Sequence, residues 1–306
     1  MNTPRSLLAL CLAAMLGAAS LPAQVNLSSL TPSGDTYTYT ENFNITGVTS
    51  TTTITGAWTN NSQLAYTANA TPYTKALPGW FLSMVSDPTV PTYDTSGTAR
   101  IGSGGAGNST ATGLLGATFS HATATLNETA LALRNTAATQ SALGFVIKND
   151  TATAVDTITL AYTGEQWRRE NSAQTNTLEF QYKVVSSFTA ASYNVWAETG
   201  WSDLNTLDFT SPTVGATTGA NLDGNQAANR SLKSAALPVT LDSGDYLLVR
   251  WFYSDADTQN VPGHALGIDD LSLSMVAAIP EPSTYAAIFG ALALGAVAVI
   301  RRRGQR

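Results

Sequence analysis

The densest knot of reactive side chains in this chain is Glu165-Gln166-Trp167-Arg168-Arg169-Glu170. An indole beside a carboxylate and a guanidinium is a sugar-binding set. Trp167 would stack on a pyranose while Glu165 and Arg168 bind its hydroxyls. With a second carboxylate, Glu165 would make the acid and nucleophile pair of a retaining glycosidase, which requires a separation of roughly 5–5.5 Å. The plain alternative is a tryptophan buried between sheets, with Glu165 and Arg168 paired at a strand end.

A second group lies late in the chain: Asp255, Asp257, His264, Asp269 and Asp270. Four carboxylates on two segments that could pair as neighbouring strands would repel one another without a cation or hydrogen-bond donors. Calcium takes six to eight oxygens and would suit them, although the EF-hand spacing is absent. His264 is a poor ligand for so hard an ion. The competing expectation is turn capping, in which each aspartate accepts nearby backbone amides.

Other chemistry is poorly supplied. His121 and His264 are the two histidines. A Ser-His-Asp triad would have to use one of them, and no Gly-x-Ser-x-Gly elbow surrounds any serine. Gly102-Ser103-Gly104-Gly105-Ala106-Gly107 lacks the Lys-Ser/Thr of a phosphate loop and reads as a surface loop. Cys11 is the only cysteine and lies in the leader described below, so disulfides and thiolate metal sites are not expected.

Short alternating runs must position these groups. Leu143, Phe145 and Ile147 form one. Ile158, Leu160 and Tyr162 form the next, then Leu178, Phe180, Tyr182 and Val184. Leu247, Val249, Trp251 and Tyr253 follow, and Leu271, Leu273 and Met275 close the series. Period two with turn residues between the runs predicts antiparallel strands. The Asp269-Asp270 pair interrupts the last run. No amphipathic helix stands out, and Thr95–Thr112 reads as the best candidate for a long loop. The expected class is all-β, an antiparallel β-sandwich or jelly roll.

Charge narrows the partners. All 21 acidic residues fall between Asp35 and Glu281, whereas five of the 15 basic ones lie at the two ends, leaving the middle near −11. An acidic surface of that size argues against nucleic acid and anionic lipid as partners.

The ends read as addresses. Residues 1–23 form a secretory signal peptide: Arg5, an apolar run from Leu7 to Ala19, and cleavage after Ser20 or Ala23. Residues 24–278 form the body, and 279–306 the tail. In the tail Pro280-Glu281-Pro282 leads into an uncharged apolar run, Tyr285 to Ile300, and then Arg301, Arg302 and Arg303. As a helix the run would be roughly 24 Å long, slightly short for a hydrocarbon core of about 30 Å. Snorkelling arginines would make up the difference. The arginines would stay cytoplasmic and leave the body outside. The prolines keep their segment extended, which suits a protease groove.

This tail resembles the PEP-CTERM sorting signal of Gram-negative bacteria. The resemblance rests on Pro280-Glu281-Pro282, the span and the arginine cluster, in that order. It implies recognition and cleavage by a membrane-embedded transpeptidase, exosortase. Blocks of the body resemble a bacterial secreted domain often found ahead of such tails. They are Glu41-Asn42-Phe43-Asn44, Trp58-Thr59-Asn60-Asn61, Gly79-Trp80-Phe81, Gly164 to Arg168, Leu222-Asp223-Gly224-Asn225 and Ala265 to Asp270. That resemblance implies a jelly-roll-like sandwich and brings no activity and no catalytic residues. The expectation is an exported protein without enzymatic activity, anchored in the inner membrane until processed, with a structural or adhesive role at the surface or in exopolysaccharide. A carbohydrate-binding module is the rival, and a glycoside hydrolase or lyase a third reading. No cofactor is required, with calcium as the candidate ion.

Overall fold

The computed structural model describes residues 24–44, 54–58, 63–67, 74–85, 97–103, 114–120, 130–135, 140–171, 173–215, 219–255, 263–278, 289–295 and 301. In chain order the strands are β1 (Val25–Asn26), β2 (Thr36–Glu41), β3 (Ile54–Trp58), β4 (Gln63–Thr67), β5 (Thr74–Val85) and β6 (Gly97–Ser103). Next come β7 (Leu114–Ser120), β8 (Ala130–Arg134), β9 (Gln140–Lys148), β10 (Val155–Arg169), β11 (Asn176–Val185) and β12 (Ser202–Asp203). The last are β13 (Phe209–Thr210), β14 (Ala220–Asn221), β15 (Arg230–Leu237), β16 (Tyr246–Asp255) and β17 (Ala265–Ala277).

They form two sheets. The first runs β12-β11-β16-β9-β5-β4, with β1 on β9 and β13 on β11. The second runs β14-β10-β17-β8-β7-β6-β3, with β15 on β10 and β2 on β17. Pairing is antiparallel except for β1 with β9 and β6 with β7. Because β6 runs through Gly97–Ser103, the stretch expected as a long loop carries a strand.

The alternating runs turn one row of side chains each into a core shared by the two sheets. Leu178 and Phe180 from β11, Val249 and Trp251 from β16, Ile158 and Leu160 from β10, and Leu273 and Met275 from β17 are all buried there. Its centre is aromatic. Trp80 and Trp251 stack at 5.9 Å, and Tyr162 reaches Trp251 edge-on from the opposite sheet at 5.4 Å. Tyr39 of β2 stacks on Phe145 of β9 at 4.5 Å and accepts the Trp80 indole N–H at 3.0 Å. Each such ring, fully buried, contributes about 1.5–3 kcal/mol.

Strand β9 departs from simple alternation, for seven consecutive residues of it are buried. Its second face lies under segment 186–201, where Tyr193 and Val195 pack on Phe81, Ala142, Val146 and Leu248. Gly79, at φ 79°, makes a close approach: a Cβ there would stand 2.9 Å from the Val146 carbonyl oxygen.

Both ends of the body are tied to one loop, residues 149–154. Asp150 accepts the amide of Ser28 at 2.8 Å and also its hydroxyl. Ala278 donates its amide to the Ala154 carbonyl at 2.7 Å. Beyond, residues 289–295 and Arg301 are helical. No helix among the described residues is long and apolar enough to cross a membrane. The leader 1–23 lies outside the described residues, as do Pro280, Glu281, Pro282, Tyr285, Ile300, Arg302 and Arg303.

Candidate functional site

The charged cluster occupies the last turn of pleat in β10, where strand partners bring three of the sequence blocks together. Glu165 faces Gly267 of β17, Gln166 faces Leu266, and Arg168 faces Ala265. The Leu222 amide donates to the Trp167 carbonyl at 2.8 Å and lays the 222–226 turn over the strand. Trp167 is fully buried against Ala130, Ala132 and Ala265. A Cβ on Gly224 would come within 2.3 Å of its ring, so glycine there lets the turn close over the indole. Trp167 therefore offers no face to a sugar, which corrects the stacking expectation. It does not lie between the sheets either. It belongs to a small cluster apart from the shared core, alternate to the inward Leu131 of β8.

The polar partners also differ from the expected ones. Glu165, 1% exposed, accepts the Trp167 indole N–H on Oε2 at 2.9 Å. Arg168 pairs with Glu170 instead of Glu165, and Arg134 reaches the same Glu170 oxygen from β8. Burial holds the Arg134 guanidinium below its ordinary range, with the Glu170 carboxylate pulling the other way. A buried cation of this kind is retained only when paired and hydrogen-bonded.

His264 continues the network. Its Nδ1 accepts the Glu170 amide at 2.9 Å, which places the ring proton on Nε2, 3.1 Å from the Gln174 carbonyl oxygen. Its own amide donates to Asn176 Oδ1 at 2.7 Å, and its carbonyl accepts the Tyr253 hydroxyl at 2.6 Å. Asn176 and Tyr253 belong to the first sheet, Glu170 follows β10 of the second. The motif residues thus link the two sheets at one end, and both ring nitrogens of His264 face backbone groups.

The late aspartates divide between the sheets. Asp255 ends β16 opposite Asn176. Asp269 is buried within β17 opposite Thr163, and Asp270 is exposed beside it. Strand β16 pairs with β11 and β9, and β17 with β10, β8 and β2, so these segments are not neighbouring strands as expected. Asp257 lies outside the described residues. Among the described residues no three acidic, histidine or cysteine side chains gather as metal ligands do. The interrupted alternation at Asp269-Asp270 is a bulge: the register slips between Ala161 and Thr163, and Asp270 takes φ 47°.

Two surface features escaped the sequence reading. A cleft of about 440 Å³ is lined by Thr40, Glu41, Asn42, Asp270, Leu271 and Ser272. It joins the Glu41–Asn44 block to the Asp269-Asp270 bulge, and Glu41 spends one oxygen on the Phe43 amide at 2.8 Å. The second feature is the outward face of the second sheet. Rows Ala236-Thr159-Ser274-Thr38 and Ser234-Ala161-Ser272-Thr40 cross four strands in register. This face is small and hydroxylic, and contains neither an aromatic ring nor a charge in those rows.

No protein-family model matches the chain, and no curated protein matches it.

Proposed function

We propose that this chain is an exported, surface-sorted protein of a Gram-negative envelope, with a structural or adhesive role in an exopolysaccharide or biofilm matrix. The observation that carries the reading is the ordered tail: Pro280-Glu281-Pro282, the apolar run Tyr285–Ile300 and Arg301–Arg303. On this reading the signal peptide exports the chain and the tail holds it in the inner membrane. An exosortase-type transpeptidase then cuts near the Pro-Glu-Pro motif and passes the body outward.

The body is read as a β-sandwich of jelly-roll type, supported by two mostly antiparallel sheets with one shared core. A non-enzymatic role is supported by the use of Glu165, Trp167, Arg168 and His264 in internal bonds. The hydroxylic rows across β15, β10, β17 and β2 suit lateral contact with polymers better than they suit catalysis. The role needs no cofactor.

Replacing Pro280, Glu281 and Pro282 together by alanine tests the reading. The variant is expected to accumulate uncut in the inner membrane, while the native chain reaches the surface at lower mass. Equal masses and equal location for the two would overturn the sorting role.

A further inference from the structure

Segment 186–201 does more than cover the first sheet. It encloses a cleft of about 230 Å³ lined by Lys183, Phe188, Thr189, Ser192, Tyr193 and Glu198, with Ser187 on its lip. That is below the roughly 300–1,000 Å³ of a drug-sized site and on the scale of one sugar ring. Phe188 is half-buried and packs edge-on to Tyr193 at 5.1 Å and to Phe81 at 5.7 Å, which fixes its ring. Tyr193 is 3% exposed, and its hydroxyl has no hydrogen-bond partner among the described residues. Lys183 is held by Glu198 Oε2 at 2.6 Å and by the Thr199 carbonyl at 3.1 Å. Its ammonium also sits 4.8 Å over the Trp201 ring.

We propose that this cleft binds one ring of a neutral glycan. A fixed aromatic wall takes the C–H face of a pyranose. Ser187 and Thr189 are exposed hydroxyls at the rim, able to donate and accept toward ring hydroxyls, while Ser192 donates to the Thr189 carbonyl at 3.2 Å and keeps its oxygen as an acceptor. The Lys183–Glu198 pair offers both signs in a fixed geometry, so no net charge is presented. A middle region near −11 repels acidic polysaccharide, which favours an uncharged one. The site stands apart from the tail, so it survives or fails independently of the sorting role.

The full chain in mild detergent is titrated calorimetrically with cellotetraose, chitotetraose and mannotetraose, and with an alginate tetrasaccharide as the acidic comparator. At least one neutral sugar is expected to bind. Phe188→Ala and Ser187→Trp should each weaken it tenfold or more. Ser187 is exposed, so its variant blocks the cleft without entering the core. Leu232→Ser, on the other sheet and 73% exposed, should bind as the native chain does. The alanine triple at Pro280–Pro282 should also bind unchanged. Failure of all three neutral sugars, stronger binding of the alginate fragment, native-like binding by Ser187→Trp, or equal loss in Leu232→Ser would each overturn the site.

Discussion

The indole N–H of Trp167 donates to Glu165 at 2.9 Å, two residues back on the same strand, beneath the glycine of a turn more than fifty positions further on. Two residues of one pleat face thus complete each other, and Gly224 closes the pair from outside. The arrangement removes a carboxylate and a tryptophan from solvent and gives each the partner that burial demands.

Stability should therefore follow this pair. Trp167→Ala is expected to lose about 3–5 kcal/mol, as large-to-small changes of buried aromatics do. Gly224→Ala should lose roughly 1–3 kcal/mol by overpacking the ring. Glu165→Gln keeps an acceptor and should lose less than Glu165→Leu, which leaves the indole N–H unmet. Urea midpoints of the four variants decide. Native midpoints for Trp167→Ala and Gly224→Ala would mean an indole open to solvent.

Acid should loosen the N-terminal fastening at Asp150. Burial alone would raise this carboxyl, but the Ser28 hydroxyl and amide hold it below its ordinary value of 3.8. The folded value is depressed, so the contribution is full above the unfolded value and fades as pH falls through the folded one. Asp150 is exposed, so the effect is under about 1 kcal/mol after solvent screening. Asp150→Asn should lie slightly below the native chain at pH 7 and converge with it below about pH 3.8. Hydrogen exchange at the Ser28 amide should speed up in the variant at pH 7. An unchanged Ser28 rate would remove the fastening.

Calcium distinguishes the two readings of the late aspartates. A ligand that binds the folded state alone at a hundred times its Kd adds about 2.7 kcal/mol, a rise of several degrees in Tm for a body of this size. Asp255 and Asp269 sit in different sheets, so turn and bulge roles predict a shift below about one degree between millimolar calcium and chelator. A rise of several degrees that disappears in Asp257→Ala with Asp269→Ala would restore a shared site.

The inward rows were legible because each needs only its own period. Ile158, Leu160 and Tyr162, or Leu271, Leu273 and Met275, alternate because one side of the pleat meets the core. The second buried face of β9 was not legible, because its cover, Tyr193 and Val195, lies some fifty residues away and alternates with nothing. Burial of Trp167 was one of the two readings open, but its place was not legible for the same reason: a local pattern shows that an indole stands at a strand end, not that Leu222 and Gly224 arrive above it, outside the shared core. The break at Asp269-Asp270 was visible as a fault in the alternation. Whether carboxylates at such a fault meet a cation or relieve a bulge depends on which strands flank them, and no spacing within β17 encodes that.

Loop 149–154 has a geometric outcome for display. Ser28 and Ala278 are bonded to the same few residues, so a tether attached at either end of the body pulls on one pole. Strand β10 leaves that pole at Val155 and reaches Arg169 roughly 45 Å away, at about 3.3 Å per residue. A tether joined ahead of Gln24 and one joined after Ala278 would both hold the molecule the same way up. The outermost part would then be the cap over Trp167, and swapping the anchor from one terminus to the other would not invert it.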